Sequence, residues 1–457
     1  MGNDRGGAGG GYWDVSSVAQ TAHRGESVVS LIIKGLQAMM VMFGATIIVP
    51  LNLGMSPQTT LFGMGTGTLI FLLITKGKSP LMMGSSFAFM IGILAVLDPV
   101  AGPFPEELFP AMTHDMRLQY ALGGVIAAGC VYLIFSAIVK IVGADKFMHF
   151  LPHAVTAPTV VLIGLILAPH AINEFARNMF LGTITAVIII IVMIWGKGKL
   201  KAFPILAGLA GAYAVAVVMS MTGSTTPAGD PLVNFYAVQQ AQLFGLPPFM
   251  TPRFALVPIL MLIPFSLATV AENIADHVIA GKEMGEDLLR GKPGLSRALF
   301  ADGIQSMSVA SFGTPMNTTY SENVGLLIIT KVFSSVVIAI GACFAILLGL
   351  SPMFAEVIRS IPQSIIGGAS IMLYGMIASI GMRTVKEHVN LNINKYLIIM
   401  SVMLVVGIGM RFGAPITVQI AEQTVRLDRL NLAIAIIFGI ILNMVLPSNH
   451  NEASDDK

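Results

Sequence analysis

The chain has 457 residues, of which 55% are hydrophobic and only 11% charged, and its mean hydropathy is +0.81. A soluble domain of this composition would aggregate, so the bilayer is expected to be the main solvent. The net charge of +2 gives no support to a nucleic-acid partner, and the two cysteines lie in apolar stretches where a packing role is favoured over a disulfide.

The N-terminal residues 1–29 are rich in glycine and polar side chains and contain no apolar core of a cleavable signal peptide. They are predicted to form a disordered cytoplasmic tail. A second cytoplasmic tail is predicted at residues 448–457, beyond the last apolar stretch.

Fourteen apolar stretches lie between the tails and predict an all-α polytopic membrane protein with 14 transmembrane segments. The third, ninth and tenth stretches are too short or too polar for plain helices. The stretches span residues 30–50, 59–75, 82–97, 119–139, 151–169, 180–195, 202–221, 254–279, 296–309, 313–330, 332–350, 362–381, 394–410 and 429–447.

The distribution of lysine and arginine between successive loops predicts the orientation. All fourteen lysines, and 19 of the 26 basic residues, fall on the side of the N-terminus. Because cytoplasmic loops carry an excess of Lys and Arg, this side is predicted to be the cytoplasm. An even number of crossings then places both termini there, in a multi-pass protein of the inner or plasma membrane.

The polar stretch at residues 223–231 divides the chain into two halves of seven segments each. Seven is odd, so related halves must have opposite orientations, which is the inverted repeat typical of secondary transporters. Runs of small and hydroxyl residues at 84–89 and 313–320 interrupt the third and tenth segments. Backbone groups freed there must bind protein, substrate or water, because lipid cannot satisfy them.

Three carboxylates interrupt the second half, namely Glu272, Asp276 and Glu322. Asp276 follows Glu272 by four residues, so both are expected on one helix face. A carboxylate at the centre of a membrane helix costs roughly 2.5–3.5 kcal/mol unless it faces a polar interior. Two like charges this close raise the proton affinity of one of the two carboxylates, so this group is expected to take up and release a proton during transport. Proton coupling through Glu272 and Asp276 is therefore predicted. A purely structural, hydrogen-bonding role stays open for Asp276.

The remaining candidates are one aromatic residue and three histidines. Phe89 ends the interrupted segment of the first half, where its ring is expected to stack on a flat ligand. His277 faces another side of its helix and is expected to be a hydrogen-bonded core residue. Pro152 separates His149 from His153 and no third ligand is evident, so no metal and no cofactor are expected. No catalytic motif is present, so no enzyme is predicted.

Three sequence blocks resemble the nucleobase-ascorbate (nucleobase-cation-symport-2) transporters, and within them the bacterial uracil permeases. The third block fits the family signature of Gln or Glu, then Asn, any residue, Gly, four residues, Thr and a basic residue. The blocks are Gly84-Ser85-Ser86-Phe87-Ala88-Phe89, Ala271-Glu272-Asn273, and Asn317-Thr318-Thr319-Tyr320-Ser321-Glu322-Asn323-Val324-Gly325 with Thr330-Lys331.

This resemblance implies a fold with two domains built from a 7+7 inverted repeat. Residues 30–141 and 254–350 would form a core domain, and residues 151–221 and 362–447 a gate domain. Segments three and ten would contain short antiparallel strands that cross at mid-membrane. A homodimer through the gate domain is also implied.

The resemblance also implies a site for a nucleobase, uracil above all, with protons as the coupling ion. Glu272 and Glu322 would bind the base, Phe89 would stack against it, and the backbone around Tyr320 and Ser321 would add amide contacts. Two carboxylates suit the ring N–H groups of uracil, and backbone N–H groups suit its carbonyls.

Some positions depart from the uracil permeases. Asp276 stands where those permeases tend to carry His, and Ser321 where they commonly carry Gly. The purine branch in turn usually has Gln at the position of Glu322. A xanthine or uric acid permease therefore stays open as an alternative. An anion transporter of the same architecture is disfavoured, because carboxylates at the binding position oppose an anion site.

Overall fold

The computed structural model describes residues 27–98, 112–197, 200, 203–226, 229–320, 333–420 and 423–447. Among these residues nine helices are long and apolar enough to cross a membrane, and a tenth span is added if one bent helix pair is counted as one. The chain is therefore a mostly helical, multi-pass membrane protein.

The described part of the first half contains eight helices and one short strand. They are α1 Val28–Leu53, α2 Pro57–Ile74, β1 Met83–Ser85, α3 Phe87–Leu97, α4 His114–Val142, α5 Ala144–Phe150, α6 His153–Ala176, α7 Met179–Trp195 and α8 Pro204–Met221.

Within the described residues the second half contains further helices and three strands. They are α9 Tyr236–Gln240, α10 Leu256–Leu262, α11 Phe265–Met284, α12 Leu295–Ala310, β2 Asn317–Thr319, α13 Ser335–Gly349, α14 Pro352–Arg359, α15 Gln363–His388, α16 Asn394–Phe412, β3 Thr417–Ile420, β4 Gln423–Arg426, the 3₁₀ helix Leu427–Leu430 and α17 Asn431–Val445.

Every predicted apolar stretch overlaps one of these elements, although the structure describes only the first part of the tenth. The third stretch is a strand followed by a short helix, and the eighth is divided into α10 and α11 at Pro264. The expectation of an all-α fold was incomplete. The β3–β4 hairpin, which joins α16 to α17, had not been predicted.

The helices pack mainly in two sets. The first helix set comprises α1–α4 and α10–α13, in which α13 packs on α1 and α2, and α12 packs on α2 and α4. The second helix set comprises α6–α8 and α15–α17, in which α15 packs along α6 and α7, and α16 packs on α17. Helices α3 and α11 of the first set contact α6 of the second. These contacts form the interface on which the site lies.

Glycine allows the backbones of α6 and α15 to approach closely. A Cβ atom at Gly164 would lie 2.4 Å from the carbonyl oxygen of Tyr374, and one at Gly381 would lie 2.6 Å from the backbone nitrogen of Val161. Small residues at such positions are typical of membrane helices, whose association depends on close packing. The backbones of α6 and α15 are therefore closely packed at these two positions.

The two interrupted segments meet as a pair of antiparallel strands. β1 and β2 pair in the register Met83↔Thr319, Gly84↔Thr318 and Ser85↔Asn317. All six strand residues are buried, so the pairing satisfies backbone groups that lipid and water do not reach. The predicted strands of segments three and ten are thus present in the structure.

Candidate functional site

The site is built where the paired strands end and α3 begins. Ser86 caps α3 by accepting a hydrogen bond from the backbone N–H of Phe89 at 3.3 Å, and its own N–H donates to the carbonyl of Met316 at 2.8 Å. Tyr320 follows β2 directly, and its hydroxyl donates to the carbonyl of Ser85. Both halves of the chain therefore fix the start of α3.

Gly84 makes room for the Tyr320 ring above the strand pair. A Cβ atom at Gly84 would lie 2.7 Å from Cε2 of that ring and 2.7 Å from the methyl carbon of Met42. Real Cβ atoms do not come this close, so any other residue would displace the ring. The small residue in this interrupted segment is thus required by packing.

A cavity of about 60 Å³ lies between the two helix sets at this point. We call it the central cavity. Its walls are mostly apolar, and Glu272 is the one acidic group on the wall within the described part of the chain. The lining residues are Phe87, Ala88, Thr156, Ala157, Val160, Ile163, Ala271, Glu272, Ala275, Ile279, Tyr320, Ile377, Ile380 and Thr384.

A hydrogen-bonded polar network lies directly behind Glu272. Asn273 donates to one oxygen of Asp302 at 2.8 Å, and Gln305 donates to the other at 2.6 Å. Gln305 and Ser306 also donate to the carbonyl of Asn317 in β2, at 3.0 Å and 2.7 Å. These side chains are all fully buried. The network therefore joins α11, α12 and the strand that leads to Tyr320.

Asp276 is not on the cavity wall. A spacing of four residues rotates a side chain by about 40° around a helix, and Asp276 is fully buried away from the cavity. It lies close enough to Asp302 for the two carboxyl groups to interact electrostatically. The expected role of Asp276 in proton coupling stays a prediction.

His277 is a hydrogen-bonded core residue, as expected. Its Nδ1 lies 2.7 Å from the carbonyl of Asn273, and its Nε2 lies 3.0 Å from the hydroxyl of Ser79. Both ring nitrogens are thereby used in packing α11 against the segment that precedes β1.

Phe89 and Phe87 point to opposite sides of α3, because two residues correspond to about 200° of rotation. The ring of Phe89 is fully buried against Phe265, with centroids 6.3 Å apart. The ring of Phe87 lines the central cavity and makes edge contacts with Tyr320 and Tyr374, at 6.1 and 5.6 Å. The stacking role expected of Phe89 stays a prediction, and in this structure Phe87 holds the position on the cavity.

Ser321 and Glu322 lie outside the described residues. Tyr320, directly before them, is on the cavity wall, as expected for a residue of the binding region. Of the predicted substrate-binding residues, the structure thus brings Glu272 and Tyr320 together.

Sequence reasoning missed Asp302 and Phe87. Asp302 is an acidic residue inside the ninth apolar stretch, with Gln305 and Ser306 one helical turn later. The test that selected Glu272, a carboxylate at membrane depth, would have selected Asp302 as well. No comparable signal distinguishes Phe87 from Phe89, because both belong to the same aromatic-rich run.

Sequence comparison places the chain among known transporters. The profile described as "Permease family" matches residues 29–416. The uracil permease of Bacillus subtilis (strain 168) is 33% identical over 440 residues, which cover 92% of this chain and 93% of that protein. The uracil permease of Escherichia coli (strain K12) is 33% identical over 422 residues, 90% of each chain. The chain therefore belongs to this permease family, so it is a transporter and not an enzyme.

Solved structures show the same fold at low sequence identity. The transmembrane domain of a cyanobacterium bicarbonate transporter, BicA, aligns with a TM-score of 0.62 at 15% identity and covers 90% of this chain and 96% of that one. The overall structure of SLC26A9 aligns with a TM-score of 0.62 at 11% identity, covering 93% and 67%.

Proposed function

We propose that this member of the permease family imports uracil by symport with protons across the inner or plasma membrane. The observation that carries the proposal is the position of Glu272, on the wall of a cavity between two helix sets where the paired strands end. The curated relatives that cover nine-tenths of the chain are uracil permeases, which supports this substrate.

The chemistry of the site fits one edge of uracil. Glu272 and Glu322 accept hydrogen bonds from the ring N–H groups, and the backbone around Tyr320 and Ser321 donates to the carbonyls. Phe87 supplies a ring face from the cavity wall. Analogues that lack the ring N–H groups leave a buried acceptor unpaired, and they are rejected for that reason.

Transport requires the two helix sets to move relative to each other. A cavity of about 60 Å³ is well below the roughly 300–1,000 Å³ of typical ligand sites, so the site must widen to hold a base. In our proposal the first helix set is a core domain and the second a gate domain. They arise from 14 segments in a 7+7 inverted repeat, with both termini cytoplasmic and two copies associating through the gate domain.

Proton coupling follows if proton and base favour the same state of the site. Glu272 and Asp276 carry the proton in this proposal. Asp302 holds Asn273, the neighbour of Glu272, and so positions the acid relative to the strand pair. Release of the proton to the cytoplasm weakens binding and frees the base.

Uptake of radiolabelled uracil into proteoliposomes tests the function. Accumulation is expected only with an inward proton gradient, and Glu272→Gln is expected to abolish it. The matched control is Glu283→Gln, about three turns away on the same helix near its end. Accumulation without a gradient would remove the coupling claim, and unchanged uptake by Glu272→Gln would remove the site.

A xanthine or uric acid permease is the second candidate, favoured by Asp276 at the position where uracil permeases tend to carry His. Competition of unlabelled xanthine, uric acid, hypoxanthine and thymine against labelled uracil distinguishes the two. Stronger competition by a purine than by unlabelled uracil would identify the purine as the substrate.

A further inference from the structure

A second, larger cavity lies between the two helix sets, beside the C-terminal half of α3. Its volume is about 310 Å³, within the range of sites that hold small molecules. We call it the outer cavity, because the orientation predicted from Lys and Arg places this end of α3 outside the cell. The lining residues used below are Ile91, Leu94, Asp98, His170, Arg411 and Arg429.

The outer cavity continues the line of the central cavity along the α3–α6 interface. Ala88 and Ile163 line the central cavity, whereas Ile91 and Ile166 line the outer one. Each pair of positions on a helix differs by three residues, or about one turn. The two cavities therefore lie along the same interface, about one helical turn apart on its lining helices.

Polar groups in the outer cavity have unused hydrogen-bonding capacity. The Nε2 atom of His170 is shielded from solvent and makes no hydrogen bond within the described residues. The Arg411 guanidinium is half-buried, and no carboxylate of the described ranges lies within ion-pair distance of it. A buried polar atom without a partner costs about 1–3 kcal/mol, so such atoms indicate a place for a polar solute.

An ion pair on the cavity wall joins the two helix sets. Nη2 of Arg429, before α17, lies 2.8 Å from Oδ2 of Asp98, which follows α3. Both side chains are mostly buried, with exposed fractions of 25% and 16%. The wall thus offers donors from Arg411 and Arg429 beside an acceptor from Asp98.

We propose that the outer cavity is a recognition site for a small planar heterocycle bound through an edge that carries a carbonyl and a ring N–H. Arg411 and His170 donate to the carbonyl oxygen, and Asp98 accepts from the N–H. The proposal rests on the proposed function, since the solute is the nucleobase on its way to the central cavity. Because the solute competes for Asp98, its binding loosens the Asp98–Arg429 contact between the helix sets.

Protection of an engineered cysteine tests the proposal. The reporter is Leu94→Cys in a Cys130→Ser, Cys343→Ser background that also carries Glu272→Gln, which disables the central site. A membrane-impermeant maleimide labels it from outside in right-side-out vesicles, with uracil as the ligand. At ten times the Kd, labelling is expected to be about tenfold slower, since about one site in eleven is then free. Adding Arg411→Gln should remove the protection.

Three controls define the outcomes. Thr222→Cys, exposed after α8, should label at the same rate with and without uracil. Unsubstituted pyrimidine, a ring without carbonyl groups, and sulfate, a free anion, should not protect Leu94→Cys. Equal protection by pyrimidine would overturn the carbonyl-edge claim, and equal protection by sulfate would make the cavity an anion site.

The experiment separates this proposal from the proposed function. If the cysteine-free parent takes up uracil but uracil gives no protection in the Glu272→Gln background, the outer site is wrong and the function stands. If the cysteine-free parent does not take up uracil and uracil does not protect Leu94→Cys, both are wrong. Arg411→Lys keeps the charge and should keep at least part of the protection, and size-exclusion chromatography of each variant shows that it is folded.

Discussion

The two helix sets differ in what holds them together at membrane depth. At the strand pair, the first set contains a fully buried network centred on the carboxylate of Asp302. Along α6 and α15, the second set has glycine and alanine against backbone atoms. Hydrogen bonds fix the orientation of the side chains that they join, whereas close packing of small residues fixes only the distance between two helices. This difference fits our proposal, in which the first set is the core domain that binds the substrate and the second set is the gate domain.

Asp302→Leu is expected to have the largest effect, because it disrupts the buried network of the first helix set. It leaves the amide of Asn273 without its buried acceptor and removes one of the acceptors of Gln305, at a cost of about 1–3 kcal/mol for each unsatisfied group. The thermal unfolding temperature of the purified protein should fall steeply, and uptake should be lost. Asp302→Asn keeps one acceptor oxygen and should lower the unfolding temperature much less. Equal stability of the Leu variant and the parent would show that the network does not organise the first set.

Gly84→Ala is expected to give the next largest effect. The added methyl group overlaps the Tyr320 ring, at a cost of about 1–3 kcal/mol for overpacking. The ring must then shift into the central cavity, so the KM for uracil uptake should rise about tenfold or more. Gly375→Ala is the matched control in α15, because its Cβ atom would meet nothing within 4 Å. A similar KM for both variants would contradict the assigned role of Gly84.

Phe87→Leu and Phe89→Leu distinguish the two faces of α3. Loss of the Phe87 ring removes an aromatic contact worth about 0.5–1.5 kcal/mol, so KM should rise about threefold to tenfold. Phe89→Leu leaves a gap beside Phe265 and should lower the unfolding temperature with little change in KM. The opposite pattern would show that Phe89 faces the substrate, as the sequence had predicted.

Arg290→Ala is expected to have the smallest effect. The guanidinium lies 2.6 Å from Asp145 but is 61% exposed, and pairs of this kind contribute at most about 1 kcal/mol. The backbone N–H of Arg290 also holds the pKa of the Asp287 carboxyl below its usual value. The stabilisation of the folded state by this hydrogen bond is present at neutral pH and is lost as pH falls through the lowered pKa of Asp287. Uptake should be unchanged, and a clear loss would place this loop in the transport cycle.

The sequence predicted the membrane-embedded helices, the two interrupted segments and the family, because each leaves a local signal, whereas the strands in the interrupted segments were implied by the family resemblance. These local signals are the length of the apolar stretches, the runs of hydroxyl residues and the family signature after Asn317. The sequence contains no local signal for which side of α3 each ring faces, since Phe87 and Phe89 are equally aromatic. Asp302 was missed although its signal was present. The pairing of Asp98 with Arg429 joins residues far apart in sequence, and no local pattern reports it.

The strand pair also constrains how the protein is made. The carbonyl of Ser85 is matched by a hydroxyl that lies 235 residues further along the chain, and the β1 backbone has its partner equally late. The N-terminal half therefore cannot complete this pairing before the second half has been synthesised. The proposed binding site forms only after Tyr320 has been made, so two fragments divided within residues 223–231 should be inert alone and active when coexpressed.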